Sequence, residues 1–110
     1  MVSQQDMLQR RLKMDNEIFV KKCKQMIVDL YNKRKGSLHR GITVDQLFVV
    51  WLSKTLQNNK ALLATKIEGD GLYFEITYNG DKQEFYIDVY KKQENIVVLI
   101  DGDVLQEENR

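Results

Sequence analysis

The stretch LYFEITYNGDKQEFYIDV, residues 72–89, decides the fold, because two runs of alternating apolar and polar residues flank Asn79-Gly80. Asn-Gly between such runs is the strongest short-range signal of a β-hairpin, since a type I′ turn needs positive φ at both central residues. A two-residue loop places Phe74 opposite Phe85. A three-residue loop would mix apolar and polar residues on each face, so we exclude it.

The predicted hairpin has two faces of different character. One face is apolar and is expected to pack on the core: Leu72, Phe74, Ile76, Phe85, Ile87 and Val89. The other is polar and aromatic, with Tyr73 expected opposite Tyr86. Tyrosines offer a large amphipathic contact area at small entropic cost, which suits a binding surface, although another segment of the chain can equally cover them. The predicted partner-binding residues are Tyr73, Glu75, Glu84, Tyr86, Asp88 and Tyr90.

The predicted register also places Glu75 opposite Glu84. Like charges facing each other across two strands are mildly destabilising, and paired carboxylates can act in acid–base chemistry or bind a divalent cation. Exposed carboxylates interact weakly in water, and an open sheet face does not exclude water. We therefore favour neutralisation by Lys82 and solvent over catalysis.

A helix is predicted from Asn16 to about Lys33, with Asp15 or Asn16 as its cap. Its apolar residues recur at three- and four-residue spacing: Phe19, Cys23, Met26, Ile27, Leu30 and Tyr31. The upstream segment, with Leu8 and Leu12, is compatible with a second helix, an extension or a frayed tail. We expect the helix to pack on the chain's own sheet, and pairing with a second copy as a homodimer is the alternative.

Further strands are predicted at residues 48–52, 61–67 and 96–100, with turn chemistry at residues 56–60. Trp51 has apolar neighbours and is expected in the core. The predicted fold class is α+β, with an N-terminal helix (or two) packed on a four- to five-stranded antiparallel β-meander. Residues 1–13 are expected to be an extension, residues 14–105 a single domain and residues 106–110 a loose tail.

The composition excludes several classes of protein. No apolar run approaches the roughly 20 residues of a membrane helix, and the polar N-terminus is unlike a signal peptide. The lone cysteine, Cys23, is expected in the core and fits a reducing cytoplasm. The lone histidine, His39, is expected in a solvated loop, so a zinc site would lack its usual ligands. With no glycine-rich phosphate loop and no GxSxG elbow, we expect no metal, no cofactor and no enzymatic activity.

The net charge of +1 hides an asymmetry. Residues 1–45 contain ten Lys and Arg against five Asp and Glu, and residues 46–110 contain seven against eleven. Because both signs are interleaved, we favour attraction between the halves, within one chain or between two copies. A basic cluster lies where the helix ends, and its charges complement the helix dipole or, alternatively, bind a nucleotide or nucleic acid. Its members are Lys33, Arg34, Lys35, His39 and Arg40.

Three blocks of the sequence resemble a family of small uncharacterised proteins from phages and prophages of Gram-positive bacteria. They are MDNEIFVKKCKQMIVDLYN, VVWLSKTLQNNKALLATKI and YFEITYNGDKQEFYIDVYKKQEN. The resemblance covers roughly residues 14–95 and supplies no catalytic residues.

The resemblance implies a protein of the bacterial host cytoplasm that acts by binding a host component. The first functional hypothesis is a non-catalytic phage or prophage accessory protein that binds and inhibits a host defence or nucleic-acid-processing protein. The alternatives are a protein that binds and sequesters a small molecule such as a nucleotide signal, and a nucleic-acid-binding module.

Overall fold

The computed structural model describes residues 14–34 and 40–105. The predicted second helix and extension (1–13), the tail (106–110), Lys35 and His39 lie outside the described residues. One helix, α1, packs on a four-stranded antiparallel meander of strand order β1-β2-β3-β4, which confirms the α+β class. The elements are α1 (Asn16–Arg34), a 3-10 helix (Val44–Gln46), β1 (Leu47–Thr55), β2 (Asn58–Thr65), β3 (Leu72–Asn79) and β4 (Glu84–Lys91).

The helix begins where the sequence predicts, and Asp15 caps it. The Ile18 N–H donates a hydrogen bond of 2.9 Å to Asp15 Oδ1, while the Phe19 N–H bonds to the Asp15 carbonyl. Glu17 in the first turn and the basic residues of the last turn complement the helix dipole. The predicted boundaries of α1 are therefore confirmed.

The core lies between α1 and one face of the sheet. Phe19, Cys23 and Ile27 of α1 are fully buried, as the helical spacing predicts. They pack with buried sheet residues: Leu47, Ala61, Leu63, Phe74, Ile76 and Tyr78. Phe19 also stacks on Phe85 of β4, with ring centroids 6.3 Å apart. The helix therefore covers one face of the sheet and leaves the opposite face uncovered by α1.

The hairpin prediction is wrong about loop length. Asn79 pairs with Glu84, so residues 80–83 form a four-residue loop. Phe74 consequently lies opposite Val89 and not opposite Phe85, the predicted partner, so the register is shifted by four residues. Because a shift of four is even, every side chain keeps its predicted face.

Local hydrogen bonding explains the longer loop. The Asn79 Oδ1 accepts hydrogen bonds from the N–H groups of Asp81 and Lys82, both 3.1 Å long. Gln83 adopts the left-handed φ of +55°, and neither Asn79 nor Gly80 has a positive φ. A polar side chain that bonds to the backbone two and three residues ahead stabilises this loop in place of the type I′ turn.

Two other strand predictions are corrected. The turn between β1 and β2 contains only Leu56 and Gln57, because Leu56 adopts φ +56° and residues 58–60 already pair in β2. The predicted fifth strand, 96–100, is absent from the sheet of the described residues. That segment instead makes a local turn, with a single bridge between Val98 and Val104 and the Leu99 N–H bonded to the Asp103 carbonyl.

Within residues 14–34 and 40–105, α1 is the only α-helix, and it is not apolar enough to cross a membrane.

Candidate functional site

The face of the sheet opposite α1, here named the open face, carries the candidate site. Its residues alternate along each strand with the core residues. Three rows run across the strands from β1 to β4. They are Phe48–Ala64–Tyr73–Tyr90, then Trp51–Leu62–Glu75–Asp88, then Ser53–Lys60–Thr77–Tyr86. No described residue of α1 lies on this face.

A β-bulge places Trp51 on the open face, and the prediction of a core Trp51 is wrong. Val49 pairs with Leu63 but Trp51 pairs with Leu62, so Val50 is an extra residue in β1. The bulge shifts the alternation by one position. Phe48 and Trp51, three positions apart, consequently lie on the same face, each about two-fifths exposed.

One end of the open face is an aromatic platform. Tyr73 faces Tyr90 across β3 and β4, and the predicted Tyr73–Tyr86 pair is wrong because of the register shift. Ala64 sits between Phe48 and Tyr73 and is only 5% exposed, so the side chains around it are closely packed. Tyr90 itself is half exposed. The platform therefore presents aromatic surface at this end of the open face.

The centre of the open face is acidic. Glu75 faces Asp88, and not Glu84 as the sequence predicts. Lys60 Nζ lies 3.4 Å from Glu75 Oε1 and neutralises that carboxylate, whereas the prediction assigned this role to Lys82. Among the described strand residues of the open face, one lysine (Lys60) stands against three carboxylates (Glu75, Glu84 and Asp88), so the strands give this face a net negative charge.

Tyr86 and Glu84 form the polar end of the open face. The Tyr86 hydroxyl donates a hydrogen bond of 2.6 Å to Glu84 Oε2. This bond and the negative charge of Glu84 raise the pKa of Tyr86. The Tyr86–Glu84 pair gives this end of the face a hydrogen-bonded hydroxyl and carboxylate, next to the row that holds Glu75 and Asp88.

The structure brings all six predicted partner-binding residues onto this one face. Phe48, Trp51 and Leu62 also lie on this face and extend it across β1 and β2, and they are absent from the predicted binding residues. Because Phe48 and Trp51 are three positions apart, regular strand alternation would place them on opposite faces. The bulge places them on the same face. The binding role of the face stays a prediction.

The predicted anion-binding cluster is only partly described. Lys33 and Arg34 are exposed in the last turn of α1, and Arg40 is exposed at the start of the following segment. The described residues contain no group of three or more His, Cys, Asp or Glu placed to hold a metal ion. The chemistry that the described residues support best is contact with another molecule through the open face.

A family model described as "Family of unknown function (DUF6275)" matches residues 20–100, and the chain belongs to this family. The matched range contains all four strands and most of α1. No curated protein and no solved structure matches the chain. Resemblance to an uncharacterised family is thereby confirmed, and a phage origin stays a prediction.

Proposed function

We propose that this DUF6275 protein is a non-catalytic binding protein that docks a partner protein on the open face. The observation that carries the proposal is the set of exposed aromatic side chains around a pair of facing carboxylates, on a sheet face that α1 leaves uncovered. Aromatic residues are enriched at the energetic centres of protein interfaces.

The charge of the open face indicates the chemistry of the partner. Three carboxylates against one lysine favour basic groups and disfavour the phosphates of nucleic acid. Asp88 has no ion-pair partner among the described residues, in contrast to Glu75, which is paired with Lys60. The partner is therefore a protein surface that presents arginine or lysine beside apolar side chains, with the guanidinium or ammonium facing Asp88 and the aromatic rings.

The resemblance to phage and prophage proteins suggests what kind of protein the partner is. We therefore propose that the partner is a host defence or nucleic-acid-processing protein, which the binding inhibits. Nucleic-acid-processing proteins carry basic surfaces, which complement the acidic centre of the open face.

Truncation of two exposed aromatic side chains of the open face tests the proposal. The tagged protein is used to capture partners from a Gram-positive host lysate, and the affinity for the captured partner is then measured with purified components. The double variant Trp51→Ala with Tyr90→Ala should lose about 30-fold or more in affinity, since the loss of even one interface hot spot costs about 2 kcal/mol or more. The matched control, Leu56→Ala with Val104→Ala, removes apolar side chains that are at least as exposed and lie outside the open face.

Both double variants should keep melting temperatures within about 8 °C of the parent, because each surface substitution changes stability by about 0.5 kcal/mol or less, or about 1 kcal/mol for the two together. Equal affinity of the open-face variant and the parent, with the fold intact, would refute the assignment. Inhibition is measured as loss of the partner's own activity on titration with the parent protein.

Charge reversal tests the partner's chemistry separately. Asp88→Lys should weaken the complex at least tenfold, and salt should weaken the parent complex as well. Glu94→Lys makes the same change of charge at an exposed position outside the open face and should have little effect. If both reversals act equally, long-range charge rather than the open face determines affinity.

A second candidate function rests on the exposed basic residues where α1 ends. Lys33, Arg34 and Arg40 make no ion pair with another described residue and are free to contact phosphates. With Lys35 and His39 they would bind a nucleotide or, less specifically, nucleic acid. Nucleotide binding should raise the melting temperature in a way that fades with salt, and the absence of any shift across a nucleotide panel counts against it.

A further inference from the structure

The two outer strands of the sheet differ in how well they can pair with another strand. An outer strand presents unpaired N–H and C=O groups, and proteins commonly interrupt such edges with bulges. The bulge at Val50 interrupts β1. By contrast, β4 keeps an unbroken eight-residue register against β3, and the chain contains no proline to disrupt it. The β4 edge is therefore the one that remains able to accept a further strand.

Side chains on both faces of β4 are incompletely covered. On the core face, Phe85 and Ile87 are half-buried and Val89 is 40% exposed, because α1 lies mainly over β1 and β2. On the open face, Tyr86 and Tyr90 are exposed. Among residues 14–34 and 40–105, no segment pairs with the outer edge of β4.

We propose that β4 pairs antiparallel with β4 of a second copy, so that two sheets join into one of eight strands. A second copy is the occupant that β4 favours, because one register sets its half-covered apolar side chains against one another and opposes no two like charges. The proposal does not depend on the function of the open face and goes beyond it. It makes the open faces of two copies contiguous.

The register follows from matching faces and avoiding like charges. A twofold axis that keeps the core faces on one side must pass through a residue, and the two registers with the longest overlap, seven residues each, centre on Ile87 or Asp88, against five residues for Tyr86 or Val89. Centring on Asp88 places two Asp88 carboxylates face to face, and centring on Tyr86 places Glu84 against Asp88. Directly opposed like charges are destabilising, which leaves the Ile87 register.

The Ile87 register brings compatible side chains together on both faces. On the core face, Ile87 meets its own copy and Phe85 meets Val89, so half-covered apolar groups cover one another. On the open face, Tyr86 meets Asp88, a hydroxyl against a carboxylate, and Glu84 meets Tyr90. No pair in this register opposes two charges of the same sign.

Disulfide mapping tests this register directly. The Cα atoms of Ile87 and its copy would be about 4.5–5.5 Å apart, within the range that a disulfide bridges. Full-length Ile87→Cys should therefore form a covalent dimer on mild oxidation. Val89→Cys alone should not, because its two copies would be roughly 14 Å apart, at about 3.4 Å per residue. The parent protein is the background control, since its Cys23 is fully buried.

A mixed pair provides a second test that does not alter Ile87. Phe85→Cys and Val89→Cys should each form no covalent dimer when oxidised alone and should cross-link to each other when mixed. If a dimer forms but neither Ile87→Cys nor the mixed pair cross-links, the β4 assignment is wrong.

The oligomeric state of the unmodified chain completes the experiment. Analytical ultracentrifugation should show a dimer whose population falls on dilution, and Val89→Lys should shift the dissociation constant upward at least tenfold while the fold remains. Val104→Lys, at an even more exposed valine outside the sheet, should leave the dimer unchanged. A parent protein that is monomeric up to 100 μM, a concentration on the order of 100-fold above a micromolar dissociation constant, would overturn the proposal.

Discussion

Gly80→Ala is expected to destabilise the protein strongly, for a reason unrelated to glycine's backbone freedom. Gly80 has no positive φ, so alanine fits its backbone conformation. A Cβ at this position would, however, lie 2.2 Å from the Gln57 carbonyl oxygen and 2.9 Å from the Gln57 Cβ. The hairpin loop 80–83 and the turn between β1 and β2 therefore touch through their backbones, and glycine is required for that contact.

The magnitude follows from the displacement that alanine imposes. An ordinary carbon–oxygen contact is about 1 Å longer than this one, so one turn must move, and overpacking of this kind raises the free energy by about 1–3 kcal/mol. The movement also weakens the 3.2 Å hydrogen bond from the Gly80 N–H to Asn58 Oδ1, a loss of about 1 kcal/mol. The total is about 2–4 kcal/mol, equivalent to a fall of roughly 10–25 °C in melting temperature for a domain of this size.

Chemical denaturation of Gly80→Ala measures this loss, with two variants as comparisons. Gly102 has φ +96°, and no atom lies within 4 Å of the place that an added Cβ would occupy, so Gly102→Ala should lose only about 1 kcal/mol through backbone strain. Gln83→Gly should be neutral or stabilising by up to about 1 kcal/mol, because Gln83 occupies the left-handed region. Two results together would refute the contact between Gly80 and Gln57: Gly80→Ala is at least as stable as Gly102→Ala, and Gln83→Gly is destabilised. They would support the two-residue type I′ loop instead.

Three further predictions concern α1 and its surroundings. Burial raises the pKa of the Cys23 thiol to about 12, so native protein should resist thiol reagents. The folded-state pKa of the Cys23 thiol is above the unfolded value near 9, so the thiol's contribution to stability is complete below pH 9 and is lost as the pH rises towards 12. The parent should therefore lose stability faster than Cys23→Ala across that pH range. Asp15→Ala should lose about 1 kcal/mol of stability with the hydrogen bond to the Ile18 N–H, and Asp15→Asn should retain most of it. Asn32→Ala should lower the free energy of unfolding, measured by urea titration, by about 2–3 kcal/mol, because the Asn32 amide accepts from the Ile42 N–H (2.8 Å) and donates to the Ile42 carbonyl (3.1 Å). A loss below about 0.5 kcal/mol would mean that water replaces the Asn32 amide.

The repeating patterns of the chain were sufficient to predict α1, the alternating faces of β3 and β4 and the antiparallel meander. The buried positions Phe19, Cys23 and Ile27 follow from the 3.6-residue period of a helix, and the two hairpin faces follow from the two-residue period of a strand. Both periods arise from local backbone geometry, so a single sequence contains the information for them. This is why all six predicted binding residues were assigned to the correct face although their partners across the strands were not.

The exact pairing of strands, by contrast, depends on contacts between segments distant in the sequence. The four-residue loop at 80–83 reflects the Asn79 side chain and the close approach of Gln57, and neither can be deduced from an Asn-Gly dipeptide. The bulge at Val50 depends on how β1 fits against β2, and it alone brings Trp51 beside Phe48 on the open face. Local periodicity determined which side of each strand is apolar, whereas packing between strands determined which residues meet and which aromatic side chains remain exposed.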